Sequence, residues 1–212
     1  MEVLTTSSND IRRAAAIVKG GGVIAFPTDT VYGLGCDPHN PGALGKLVFM
    51  KGKRKKPFPI LVSSPKLAQQ IAEMDSRARA LASRFWPGPL TIVARSRVRF
   101  PELLTKRKKT IAVRCPGSPL ALKLIRKCGG LLTGTSANIT GGPPCTNAEM
   151  VRRLFGETID AVVDGGHSPR RETSTIVRMH SRGVTILRKG PIRDVQIKRV
   201  LSSPVRTITQ KL

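Results

Sequence analysis

The chain predicts an α/β fold with a twisted mixed sheet and helices on its faces. Short, apolar, β-branched runs such as VIAFP, LTIVA and TIAVR alternate with longer stretches that repeat apolar residues at helical spacing. Those stretches are bracketed by capping residues and glycine stops. The connections between the strand-like runs are too varied for a purely doubly wound order, so the sheet is expected to be mixed. The 212 residues with 40% hydrophobic content suffice to bury one real core.

In chain order, Asp10 is placed to cap a helix through IRRAAAIVKG that stops at Gly20 to Gly22, and VIAFP follows as a buried strand. Asn40 and Pro41 open a second helix that ends near Met50. The strand PILVS precedes helices starting near Ser64 and Ser76, the break WPGP, and the strands LTIVA and TIAVRC. Ser118 and Pro119 start a helix terminated by Gly129 and Gly130, and LLTGTS reads as the next strand. Thr146 and Glu149 form a capping-box pattern before MVRRLF, which stops at Gly156. DAVVD, STIVRM and VTILR complete the strands, with a short basic helix after Pro191 and no internal repeat.

Lys plus Arg number 37 against 13 Asp plus Glu, a formal charge of +24, so polyanions are expected partners. The start MEVLTTSSND is polar and acidic where a secretory leader would be basic and then apolar, and no apolar run reaches membrane-spanning length. A reduced, cytoplasmic protein is expected. Cys36, Cys115, Cys128 and Cys145 form no Cys-x-x-Cys pair and read as small buried hydrophobes, and His39, His167 and His180 lack metal-ligand spacing, so no metal site is expected.

The densest charge run, KGKRKK from Lys51 to Lys56, lies between a helical segment and the strand-like PFPILV, so a loop must present it. Such a loop is either a phosphate site or a solvated surface. Three turns supply complementary groups. PTDTVYGLGCDP, residues 27–38, carries Thr28, Thr30, Tyr32 and two glycines; TGTSANITGGPP, residues 133–144, carries Thr135, Ser136 and Asn138; GGHSPRRETST, residues 165–175, is polar and basic. None has the GK[ST] ending of a P-loop or the G-x-G-x-x-G dinucleotide fingerprint.

Taken together, PTDTVYGLGCDP, KGKR, WPGPLTIV, IAVRCP, GTSANITGGPP, STIV and ILRKGPI occur in the order found in the YrdC/TsaC family of threonylcarbamoyl-AMP synthases, and the chain resembles that family over about residues 10–192. The resemblance implies a large, basic, concave cavity in a domain spanning 1–192, with 193–212 as a short basic extension. It implies a nucleotidyltransferase that makes L-threonylcarbamoyladenylate and pyrophosphate from L-threonine, bicarbonate and ATP with Mg2+. The product would serve a transferase complex that modifies adenosine 37 of tRNA. No enzymic nucleophile is needed, because the carbamate oxygen can itself attack the α-phosphorus, which fits a chain rich in cations and glycine turns without a Ser-His-Asp set.

Carried over residue by residue, the resemblance places ATP on Lys51, Lys53 or Arg54, Thr110, Ser136, Asn138, Pro144 and Arg188. It places threonine on Thr30, Arg114, Gly134 and Ser174, with Arg114 able to pair a carboxylate bidentately. The family pattern K-x-R is altered here to Lys51-Gly52-Lys53-Arg54, so either Lys53 or Arg54 fills the arginine position. A histidine that several relatives carry after their P-L pair is replaced here by the run Ile60, Leu61, Val62. The alternative from another class is a basic module for tRNA or double-stranded RNA without catalysis. Only 4% aromatic content and no RRM, KH or OB signature count against stacking-based RNA recognition.

Overall fold

A computed structural model describes residues 1–52, 56–180 and 183–201, together with the backbone of 205–207. The elements run β1 (Glu2–Leu4), α1 (Ser8–Lys19), β2 (Ile24–Phe26), β3 (Gly33–Gly35), α2 (Pro41–Lys51), β4 (Pro59–Val62), α3 (Pro65–Ile71), α4 (Ser76–Phe85), β5 (Leu90–Arg95) and α5 (Glu102–Thr105). They continue with β6 (Thr110–Arg114), α6 (Pro119–Lys127), β7 (Leu131–Thr133), β8 (Thr135–Ser136), α7 (Ala148–Phe155), β9 (Ala161–Val163), β10 (Thr175–His180), β11 (Gly183–Arg188), α8 (Asp194–Leu201) and β12 (Val205–Thr207). Mixed α/β architecture is borne out, and the strands divide between two sheets. One has the order β1-β9-β2-β3-β8 and the other β12-β11-β10-β5-β6-β4-β7.

Three helices begin alike because their sequences do. Asn40, Ser64 and Ser118 each accept a hydrogen bond from the amide three residues on, with proline in the first turn of α2, α3 and α6. Two expected caps shift. Ser7 caps α1, while the Asp10 carboxylate turns back to accept the Thr5 amide at 2.7 Å, so the helix starts earlier than the sequence implies. Asn147, not Thr146, caps α7, its side chain accepting the Met150 amide at 2.8 Å, and Glu149 pairs forward with Arg153 one turn along.

The segment LLTGTS is two strands, not one. β7 pairs with β4 in the seven-stranded sheet and β8 with β3 in the five-stranded sheet, so the chain passes between sheets at Gly134. A Cβ there would stand 2.4 Å from Leu61 Cγ, so any side chain would force Leu61 to shift.

Cross-strand register gives the seven-stranded sheet two unlike faces. On β6, Ile111 and Val113 are buried in the main core with Ile60, Val62, Ile92, Val177 and Ile186. Thr110, Ala112 and Arg114 point the other way, opposite Arg95 and Val93 of β5 and opposite Leu61 of β4. A second core forms beneath α1 and α6 from Ile11, Val18, Ile24, Phe26, Leu124 and Ile125 among others.

Candidate active site

Lys51, the last residue of α2, is only 2% exposed, which for a lysine requires partners. Its Nζ donates to the Ser136 carbonyl at 2.9 Å, to the Asn138 carbonyl and to Asn138 Oδ1 at 2.8 Å. Ser136 Oγ donates to the same Oδ1 at 2.7 Å, and Asn138 Nδ2 donates to the Gly142 carbonyl at 2.7 Å. Thr140 Oγ1 closes the circuit on the Lys51 carbonyl at 2.6 Å. The turn after β8 is thus wrapped around one ammonium. Pro144 lies on its returning limb, beside Cys145, whose amide donates to Ala137. Lys53 and Arg54 lie outside the described residues.

Across the loop between β2 and β3 stands a second cation. Arg114, at the end of β6 and 6% exposed, donates from Nε to the Gly88 carbonyl at 3.0 Å, from Nη1 to Thr30 Oγ1 at 3.2 Å and from Nη2 to Asp29 Oδ1 at 2.6 Å. Thr28 Oγ1 lies 2.9 Å from Thr30 Oγ1 and donates to the Val31 carbonyl at 2.7 Å. Burial pulls the Arg114 guanidinium down from its ordinary range, with the Asp29 charge opposing.

Ser174, immediately before β10, is buried, and its hydroxyl is 2.8 Å from Thr91 Oγ1 on β5. Arg188 at the end of β11 donates from Nε to the Ser174 carbonyl and from Nη2 to its hydroxyl, both at 3.0 Å. A residue expected on the nucleotide and one expected on threonine are therefore in direct contact. Thr110 shares a face of β6 with Arg114, about 13 Å away at ordinary strand rise. Gly134 sits where the two sheets meet, its amide donating to the Pro59 carbonyl at 2.9 Å.

One short segment joins the two cations. Tyr32 donates its amide to the Cys145 carbonyl at 3.0 Å and accepts the Ala137 amide at 2.8 Å, so the strand leaving Thr30 lies against the turn that holds Lys51. The Tyr32 hydroxyl donates to the Gly166 carbonyl at 2.8 Å and accepts the Gly165 amide at 3.2 Å, anchoring the basic turn of residues 165–175. Burial pushes that phenol up to about 12, so it stays protonated.

Sequence reasoning singled out Thr28 and Thr30 but passed over Asp29 between them, and it passed over Thr91. An acid in a turn reads as solvated, and its partner lies 85 residues on. Among the described residues no group of three or more His, Cys, Asp or Glu gathers as a metal site, and no helix is long and apolar enough to cross a membrane. The four cysteines are free thiols.

The family model for Sua5, YciO and YrdC, described as telomere recombination, matches residues 16–190. A threonylcarbamoyl-AMP synthase of Halorhodospira halophila is 39% identical over 157 residues, covering 73% of this chain and 82% of that one. One from Pyrococcus abyssi is 35% identical over 193 residues, 90% of this chain and 57% of that protein. The crystal structure of P. abyssi Sua5 complexed with L-threonine superposes with a TM-score of 0.93 at 32% identity, over 98% of this chain and 63% of that one. The chain thus spans under two thirds of the Pyrococcus protein's length and most of the Halorhodospira protein's.

Proposed function

Since the chain belongs to the Sua5/YciO/YrdC family, we propose that it is a threonylcarbamoyl-AMP synthase and that the two cation centres divide its substrates between them. Lys51 with Ser136 and Asn138 takes the triphosphate of ATP, with Thr110, Pro144 and Arg188 along the nucleotide. Arg114 with Thr30, Gly134 and Ser174 takes L-threonine. The observation that supports this reading is that Tyr32, two residues after the Thr30 that meets Arg114, is bonded to the turn around Lys51, so the two buried cation centres adjoin.

The chemistry asks for no more than positioning and charge. The amine of threonine adds to bicarbonate with loss of water, giving a carbamate. A carbamate oxygen then attacks the α-phosphorus and pyrophosphate leaves, carrying negative charge that an ammonium at Lys51 stabilises. The positive charge gathered there, an ammonium oriented by neutral oxygens, suits phosphate, so Mg2+ would arrive on the nucleotide's own phosphate oxygens. That ion would neutralise charge on the leaving pyrophosphate. We further propose that the product is handed to a transferase acting on tRNA, with the +24 charge favouring that encounter. Relatives named as synthases favour this reading over a non-catalytic RNA-binding module.

The test is pyrophosphate release measured with each substrate omitted in turn. Release that needs ATP, threonine and bicarbonate together, with a product of the adenylate's mass, is expected. Release that persists without threonine would overturn the reading.

A further inference from the structure

Asp29 and Arg114 form the most deeply buried ion pair among the described residues, at 2.6 Å, with side chains 15% and 7% exposed. Desolvating both charges makes such a pair weak as a source of stability, so its presence calls for another reason. The second carboxylate oxygen, Oδ2, is buried and has no hydrogen-bond partner among the described residues. Instead it packs against Gly117, where a Cβ would stand 3.2 Å from Oδ2 and 3.3 Å from the Gly88 Cα. Turns from three places, residues 28–30, 86–89 and 115–118, therefore close around a carboxylate whose hydrogen bond goes to Arg114. Buried polar atoms left unpaired in this way are uncommon and mark places where geometry matters more than local stability.

Arg114 has five N–H groups, and the Gly88 carbonyl, Thr30 Oγ1 and Asp29 Oδ1 account for three. We infer that Asp29 is a positioning residue for the amino-acid substrate: it holds the Arg114 fork in one orientation, so that the remaining hydrogens on its two terminal nitrogens meet the substrate's carboxylate. Without Asp29 the guanidinium keeps its charge and its bonds to the Gly88 carbonyl and Thr30 Oγ1 but loses its charge-assisted hold at Nη2, so one arm of the fork is released and the bidentate match to a carboxylate is weakened. This rests on the assignment of Arg114 to threonine made above.

The experiment compares Asp29→Asn and Asp29→Ala with the unsubstituted protein in the three-substrate assay, with threonine binding measured calorimetrically in the absence of ATP. Asp29→Asn is nearly isosteric and keeps one acceptor oxygen. It should raise the KM for threonine by about 10-fold or more while leaving the KM for ATP within about twofold, and threonine binding should weaken in parallel. Asp29→Ala should do the same more severely. A threonine KM within twofold of the unsubstituted value in folded Asp29→Asn would overturn the inference, as would equal rises in both KM values. If neither variant folds, the pair is structural and the inference fails. An unsubstituted protein that shows no threonine-dependent turnover would remove the enzymatic reading itself, which separates the two failures.

Discussion

The two cation centres surround the same kind of charge in opposite ways. At Lys51 the oxygens named above are neutral carbonyls and an amide, which orient an ammonium without cancelling its charge. At Arg114 a carboxylate stands against the cation, so the net charge is small and what remains is shape. The first arrangement suits a polyanion whose charge must be offset during phosphoryl transfer. The second suits a small zwitterion that must be held in one pose. A count of cations along the sequence treats the two as equivalent, although one is ringed by neutral oxygens and the other is paired with a carboxylate.

The largest expected break of that contrast is Lys51→Met. Removing the ammonium should lower kcat/KM for ATP by about 100-fold or more, as losing a preorganised charge contact does, with a smaller change in threonine KM. It also strips a donor from two backbone carbonyls, at a stability cost of about 1 to 3 kcal/mol, readable as a lower Tm. Next comes Arg114→Lys, which keeps the charge and loses the fork. Its threonine KM should rise by about 10-fold or more with the ATP KM little changed. A lysine that served as well would show that charge alone, not shape, binds at this end.

Replacing threonine by serine sharpens the same end from the ligand's side. One methyl group is worth about 1 to 3 kcal/mol, so kcat/KM should fall between about 10-fold and 200-fold, and equal rates would remove the claim of a pocket fitted to threonine. Lys53→Ala and Arg54→Ala, assayed separately for ATP, decide which of the two meets the triphosphate. A selective loss at one assigns the role, and no loss at either removes that loop from the phosphate side.

The smallest effect concerns a thiol. Burial and then the Asp29 charge push Cys115 up to about 11 from an ordinary value of 9.0, with Arg114 opposing. Its folded pKa is raised, so the stability it contributes is present below pH 9 and is lost as pH climbs from about 9 to about 11, where the unfolded chain ionises first. Cys36, pushed up to about 11, and Cys128, pushed up to about 12, act in the same direction. The Tm should fall across that window, and Asp29→Asn should move Cys115 ionisation to lower pH in a thiol titration. An unchanged Cys115 titration would mean that Asp29 is not beside it as described.

What was legible in the sequence was local. Ser64, Ser118 and the Asn40-Pro41 pair announce helix starts because capping depends on neighbours three residues apart, and β-branched runs announce buried strands. The strand β3 was not legible. Its sequence is Gly-Leu-Gly, and only pairing with β2 and β8 makes it a strand. The division into two sheets was hidden for the same reason, since the chain crosses at one glycine whose meaning lies in Leu61, far away in sequence. In the site, Lys51, Ser136 and Asn138 could be carried over from ordered motifs. Asp29 could not be weighed until the fold set it on Arg114.

The division of labour between the two centres is tested most directly by measuring both KM values for Ser136→Ala and Arg114→Lys in one assay. Ser136→Ala, which removes a hydroxyl from the Lys51 turn and little packing, should raise the ATP KM and leave the threonine KM within about twofold. Arg114→Lys should do the reverse. Both variants shifting both constants by the same factor would contradict the account, because the two centres would then act as one site.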